Sequence, residues 1–380
     1  MPEKRIYLSA PDIGSKEKDL VNEAFETNWI APLGPHVDAF EEELSHYIGE
    51  VTCAVLSSGT AAVHLALRIL GIQQDDEVIC QSFTFCGSVN PVIYEQAKPV
   101  FIDSEKETWN MDPGLLEDCV KERIGKGKKP KAIIYVHLYG MPARIDEILS
   151  IGNKYDIPVI EDAAEALGSK YNNQQVGSFG LMSILSFNGN KIITTGGGGA
   201  FLAHNPEFTQ RARFLATQAR DEAPHYQHSQ IGFNYRMSNV AAAIGRGQLM
   251  DLDSKVERRR QIFSIYRDEL RDYDNIVFHE EPDCAFSNRW LTTVLIDSTK
   301  YSGITPESIR SSLEEENIEC RPLWKPMHMQ PVYRETLYYG NGVSESLFRD
   351  GLCLPSGSGM TDHDLDRVIS TLKTCIKTLK

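Results

Sequence analysis

The sequence predicts an α/β fold: a mostly parallel central sheet flanked by helices, followed by a smaller C-terminal α+β domain. Three observations point there. Short apolar runs alternate with helical patterns through the first two-thirds of the 380 residues. Those runs are apolar almost throughout instead of at every second position, the pattern of strands buried on both faces. Beyond about residue 272 the alternation gives way to a mixed series of strands and helices. The expected division is a large domain over residues 1–250 and a small one over residues 251–380.

The first predicted strand covers residues 52–57, and Ser58 caps the helix after it, whose apolar face carries Val63, Ala66, Leu67 and Leu70. Further strands are expected at 77–80, 99–102 and 131–137. A helix over 145–155 leads into a strand at 158–162 that ends on Asp162. The patch at 125–130, rich in glycine and lysine, reads as a surface loop. A short apolar strand precedes Lys191, and a surface helix is expected over 207–220. From 238 to 272 runs a long helical pattern, with a break at Gly245 and Gly247 and a basic stretch at 255–260 on a solvated face. A strand at 288–296 follows. Thr305 and Pro306 then open a helix, with proline at its first position. A strand near 318–321 and a terminal helix from Asp362 complete the series.

Composition bounds the function. With 41% apolar and 24% charged residues the chain is ordinary globular material, long enough for two domains. A net charge of −14 argues against general nucleic-acid binding. No apolar run approaches the roughly 18 residues of a membrane span, and the first residues lack a signal peptide's apolar core, so a cytoplasmic location is expected. The eight cysteines form no C-x-x-C pair and read as reduced, mostly buried thiols. The ten histidines show no metal spacing, so no metal centre is expected.

Ligands of open α/β sheets bind at the carboxyl ends of the strands. Ser58, Asp162 and Lys191 each lie at or just past such an end, so segments far apart in sequence converge. Lys191 stands among Phe187, Gly189, Ile192, Ile193 and the run Gly196 to Gly199. A turn lysine is ordinarily exposed. In small apolar surroundings, however, desolvation makes an amine more nucleophilic, and lysine forms Schiff bases with carbonyl compounds, which is how pyridoxal phosphate is held. Asp162 either caps a turn or pairs with a buried cation such as a protonated pyridine nitrogen. Glu161 and Glu165 beside it raise a hydrolytic carboxylate pair or a metal site as the alternative, which nothing else in the sequence supports. The Ser58-Gly59-Thr60 turn is a plain helix cap or a phosphate cradle at a helix N-terminus. The glycine run lacks the G-K-[ST] ending of a nucleotide-triphosphate loop and is better suited to close backbone approach. Phe85 is a core aromatic or a ring to stack on a planar cofactor.

Taken together, the turn Ser58 to Ala62, the segment Glu161 to Ala164, Ser186-Phe187 with Lys191, the stretch Gly232 to Ser238 and the late His328 resemble the DegT/DnrJ/StrS-type sugar aminotransferases. That resemblance covers almost the whole chain. It implies the aspartate aminotransferase (type I) fold and pyridoxal phosphate held by Lys191, with the pyridine nitrogen on Asp162. It further implies Phe85 stacked on the ring, Gly59, Thr60 and Ser186 at the phosphate, and Glu165 near the ring's 3-oxygen. Asn234 would reach the phosphate of the neighbouring subunit, making the active site a homodimer property. The segments at 28–34, 186–195 and 321–328 look more narrowly like the 4-aminotransferases of bacillosamine-type biosynthesis. Those enzymes aminate UDP-2-acetamido-2,6-dideoxy-α-D-xylo-hexos-4-ulose with L-glutamate as donor. Asn28, Trp29, Arg321, Trp324, Lys325 and His328 are then the expected nucleotide-sugar residues. Gly197 departs from the family, most of whose members have glutamate there. A PLP-dependent sugar dehydratase is disfavoured, because relatives with that chemistry carry histidine in place of Lys191. A non-catalytic ligand-binding relative has no need of Lys191 and Asp162 together.

Overall fold

The computed structural model describes residues 3–300 and 303–379. Its central sheet has eight strands in the spatial order Thr52–Leu56, Gly199–Ala203, Met182–Ser186, Val159–Asp162, Ala132–Val136, Glu77–Gln81, Lys98–Ile102, Leu337–Tyr339. Neighbours from Met182–Ser186 onward run parallel. Gly199–Ala203 runs antiparallel to both of its neighbours. Every residue of Glu77–Gln81 and Ala132–Val136 is buried, as two covered faces require. A second, antiparallel sheet is built from Ile276–Phe278, Thr292–Ile296, Gly351–Leu354 and Arg321–Pro322.

Two strands of the large sheet are absent from the sequence reading. Gly199–Ala203 hides behind the glycine run. A Cβ at Gly199 would overlap the backbone of Ser58 and Gly59, so glycine here lets the antiparallel strand close against the start of the next helix. Leu337–Tyr339 comes from the C-terminal third and pairs with Lys98–Ile102. The buried carboxylate of Asp103 secures it, accepting N–H bonds from Asn341, Gly342, Val343 and Ser344 at 2.9–3.1 Å where the helix Val343–Asp350 begins.

Most local expectations hold: Ser58 caps the helix Gly59–Ile69, Ile145–Tyr155 is helical, and Thr305 caps Pro306–Glu315. The surface helix is Pro206–Ala216, ended before two positive-φ residues, Gln218 and Ala219. The long pattern after Ser238 is two helices, Asn239–Leu249 and Leu252–Glu269. The break falls at Met250 and Asp251, not at Gly245 and Gly247. Those glycines serve interhelical contact instead. A Cβ at Gly245 would overlap the ring of Phe40, and one at Gly247 would crowd the backbone of Glu17. Gly245→Ala should therefore cost about 1–2 kcal/mol net, overpacking of about 1–3 kcal/mol outweighing the gain of about 1 kcal/mol in helix propensity. A urea melt of the variant measures it.

The basic run at 255–260 is not a solvated face. Lys255 and Arg259 are buried, and they join the helix to the N-terminal segment. Lys255 donates to the carbonyl of Asp12 at 2.6 Å, and Arg259 donates to the carbonyl of Trp290 at 2.5 Å and to Ser9 Oγ at 3.0 Å. Burial lowers the Arg259 pKa to about 10, with the charge of Asp12 opposing it. The strand expected at 288–296 is Thr292–Ile296 alone, because Arg289 takes φ +50° and turns the chain. The strand expected near 318–321 is Arg321–Pro322, and Ile318 bridges Ile6. The eight cysteines are free and six of them are buried, with Cys284 exposed. Among the described residues no helix is long and apolar enough to cross a membrane.

Candidate active site

A cavity of about 350 Å³ opens at the carboxyl ends of the parallel strands. Its floor is the turn after Thr52–Leu56. Ser58 Oγ accepts the Ala61 N–H at 3.0 Å and so fixes the helix start. The first N–H groups of this helix have no partner within the helix itself, and Gly59, Thr60 and Ser186 line the cavity beside them. A Cβ at Gly59 would stand 3.1 Å from Ser186 Cβ, and one at Gly87 would stand 3.1 Å from Thr60 Oγ1. Glycine at both positions keeps the cradle open.

Lys191 sits in a loop closed by Phe187 N–H to Gly198 O (2.8 Å) and Thr195 N–H to Phe187 O (3.0 Å). Its side chain is only 10% exposed. The amine Nζ lies 3.2 Å from Glu165 Oε1 and 4.1 Å from the centre of the Trp290 ring. Glu165 is held from its other oxygen by the Tyr139 N–H at 2.7 Å. Burial pushes the Glu165 carboxyl up, and the charge of Lys191 opposes without cancelling.

Asp162 is 3% exposed. Its Oδ2 accepts from Ser88 Oγ at 2.6 Å and its Oδ1 from the Ala164 N–H at 3.0 Å. Burial raises this carboxyl as well, against those two bonds and the Lys191 charge. Glu161 next to it points to the other side of the strand. It accepts from His137 (2.9 Å), Gly177 N–H (2.6 Å), Phe179 N–H (2.8 Å), Gly180 N–H (3.1 Å) and Ser183 Oγ (2.7 Å). Glu161 is thus an anchor for the loop at 177–180, and it forms no carboxylate pair with Asp162.

Ser58, Gly59, Thr60, Phe85, Asp162, Glu165, Ser186, Lys191 and Trp324 all line this one cavity. Phe85 is 55% exposed and packs 5.2 Å from Trp324, a ring held open rather than in the core. Arg321 lines an adjoining cavity of about 790 Å³ that shares Phe85, Asn190, Trp290 and Trp324 with the first and adds Tyr7. Lys325 lines a third, of about 460 Å³. His328 is turned inward, sharing hydrogen bonds with Ser82 (2.7 Å) and Glu345 (3.2 Å) and stacking on Tyr338 at 3.7 Å. Both of its ring nitrogens are engaged, and it lines none of the three cavities. Asn28 and Trp29 lie away from the cavity. The Trp29 ring N–H donates to the carbonyl of Leu33 at 2.7 Å, and Asn28 is exposed. Asn234 is exposed beside Thr217 and lines none of the three cavities.

The residues fit pyridoxal phosphate: a lysine amine, a buried acid for a ring nitrogen, a helix N-terminus with glycine-cleared space for a phosphate, and an aromatic flank. The sequence pattern of one family matches residues 11–373. The chain belongs to the DegT/DnrJ/EryC1/StrS aminotransferase family. It is 51% identical over 373 residues to EpsN of Bacillus subtilis (strain 168), covering 97% of this chain and 95% of that one. It is 37% identical over 371 residues to the GDP-perosamine synthase of Caulobacter vibrioides, covering 97% of each. Among solved structures, the DegT DnrJ EryC1 StrS aminotransferase from Brucella abortus superposes with a TM-score of 0.88 at 28% identity over 95% of each chain. The aminotransferase TlmJ from Streptoalloteichus hindustanus does so with a TM-score of 0.90 at 26% identity, covering 98% of this chain and 99% of that one. The DegT/DnrJ/EryC1/StrS membership makes this chain a pyridoxal phosphate-dependent sugar aminotransferase with the type I fold.

Sequence reasoning missed Ser88, Trp290 and Tyr139. Ser88 carried no motif, and Trp290 looked like part of a strand. Tyr139 holds a positive φ of 56° in a turn whose only local mark is the following Gly140. Of the glycine run, Gly198 and Gly199 do serve close packing. A Cβ at Gly197 would meet nothing within 4 Å, so the departure from glutamate there has no steric cause.

Proposed function

We propose that the chain transfers an amino group from L-glutamate to C4 of a nucleotide-linked 4-keto-6-deoxy sugar, UDP-2-acetamido-2,6-dideoxy-α-D-xylo-hexos-4-ulose, giving the UDP-4-amino sugar. The observation that carries the transamination is Lys191, Asp162 and the Gly59–Thr60 cradle meeting in one cavity. Bound there, pyridoxal phosphate supplies an electron sink for the charge left when a proton leaves the amine-bearing carbon. Lys191 Nζ takes that proton and returns it on the neighbouring carbon, as general base and then general acid. Asp162 holds the proton on the ring nitrogen. Ser58, Gly59, Thr60 and Ser186 bind the phosphate, Phe85 covers one ring face, and Glu165 lies toward the ring's 3-oxygen. The chain acts as a cytoplasmic homodimer in which Asn234 completes the neighbouring subunit's phosphate site. Arg321 and Lys325 supply cations for the diphosphate and Trp324 a face for stacking. Asn28 and Trp29 reach the sugar from the partner chain, and His328 backs that wall through Ser82.

The choice of UDP rests on the segments at 28–34, 186–195 and 321–328. GDP is the second reading, because GDP-perosamine synthases are 37%, 36% and 34% identical to this chain. A panel of UDP-, GDP- and dTDP-linked 4-keto-6-deoxy sugars with glutamate, products identified by mass and NMR, separates them. The UDP 4-amino sugar is the expected dominant product. Dominant GDP turnover would replace the nucleotide and leave the transamination standing.

A further inference from the structure

We propose that Trp290 and Glu165 form a holding site for the free ammonium of Lys191, making them a positioning pair for the part of each cycle in which the lysine is released. The meaning of the pair in turnover rests on the reading of Lys191 given above, but its geometry does not. Lys191 Nζ lies 4.1 Å over the Trp290 ring and 3.2 Å from Glu165 Oε1. Both partners are themselves fixed. The Trp290 ring N–H donates to the carbonyl of Asn190 at 2.7 Å, the residue just before the lysine, and the buried Arg259 holds the Trp290 carbonyl. Ser9 Oγ donates to the same Asn190 carbonyl at 2.8 Å and accepts from Arg259 at 3.0 Å. Ring and lysine backbone are therefore tied into one unit. Glu165 Oε2 is bound by the Tyr139 N–H, which leaves Oε1 free to face the amine.

The physical need is plain. Lysine has a long flexible stem and a point charge, and an ammonium largely out of water is costly unless paired. A flat ring face and a carboxylate on two sides supply that pairing, and a cation over a desolvated indole is worth more than one at the surface. The ammonium that exists between taking and returning the proton is then kept at one place instead of sampling the cavity.

The test is the rate at which Lys191 is reductively methylated in the full chain freed of cofactor, near neutral pH, read by peptide mass. An amine gripped between a ring face and a carboxylate is less available to the reagent, so the holding site slows the reaction. Lys191 in Trp290→Leu and in Glu165→Gln should react roughly two- to tenfold faster than in wild type. Trp290→Phe, which keeps a ring face, should stay near the wild-type rate, and the exposed Lys128 should be unchanged throughout. Glu165→Gln keeps the volume, so its effect separates charge from simple access. A wild-type rate in both Trp290→Leu and Glu165→Gln, or a Trp290→Phe rate equal to that of Trp290→Leu, overturns the proposal. If Trp290→Leu does not fold, a wild-type rate in Glu165→Gln alone overturns it. A failure of the cofactor reading appears instead in the spectrum of Lys191→Ala and leaves this labelling comparison intact.

Discussion

Lys191→Ala is expected to lower kcat for transamination by about 10⁴-fold, the upper end of what a positioned proton-transfer group supplies. The purified variant should also lack the visible absorbance of a lysine-linked cofactor, and adding L-glutamate should not bring about the spectral change expected of wild type. The fold should survive. The Lys191 side chain contacts Glu165 and Trp290. Glu165, left without its cation, takes up a proton, a step that burial already favours. A melting temperature near that of wild type, measured beside the kinetics, separates lost chemistry from lost structure. Full turnover by the variant would remove Lys191 from the mechanism.

The second large effect divides two adjacent carboxylates. Glu161→Ala should destabilise the chain by about 3–5 kcal/mol, because it strands His137 and four other donors around a fully buried site. Asp162→Asn should raise the melting temperature of the cofactor-free chain at neutral pH while lowering kcat by about 10²- to 10³-fold, the usual loss for a preorganised electrostatic partner. The pH dependence runs in opposite directions. For Glu161, burial pushes the carboxyl up, but the bonds from His137, Gly177 and Ser183 outweigh it, and the net pKa is depressed. Its stabilisation is full above the unfolded carboxylate pKa and is lost as pH falls through the folded value. For Asp162 burial wins and the folded pKa is raised. The folded state then binds the proton more tightly than the unfolded state, so stability is lost as pH rises from the unfolded value through the folded one, and a penalty persists at neutral pH. Asparagine removes that penalty together with the charge. Thermal melts across pH on both variants check the signs. A drop in melting temperature at neutral pH for Asp162→Asn would contradict the account.

These two residues also mark how far the sequence could be read. The strand at 158–162 and its acidic end were legible, because an apolar run with a polar terminus is a local pattern. That Glu161 faces a loop and Asp162 the cavity was not, since strand alternation says only that neighbours point apart, not which side holds the cavity. Trp290 was hidden for a different reason. Arg289 turns the chain where β-propensity continues, and Asn288 fixes the turn by donating to the carbonyls of Glu165 and Leu167, residues more than a hundred positions away. Lys255 and Arg259 follow the helical period of a solvated face, yet they bury against Asp12, Ser9 and Trp290.

By itself, the sequence determined six of the eight strands of the large sheet, the helix caps at Ser58 and Thr305, and the presence of a lysine, an acid and a Ser-Gly-Thr turn at strand ends. Periodicity, capping and turn chemistry act between residues a few positions apart and need no knowledge of what lies across the fold. Only the tertiary structure decided the rest: the antiparallel insertion of Gly199–Ala203, the capture of Leu337–Tyr339 by Asp103, the inward turn of His328, and the ring of Trp290 over Lys191. Each of these depends on burial and on pairing with a distant segment. The free energy of a buried charge or an unpaired strand edge is set by its partner, and the partner is a property of the folded chain.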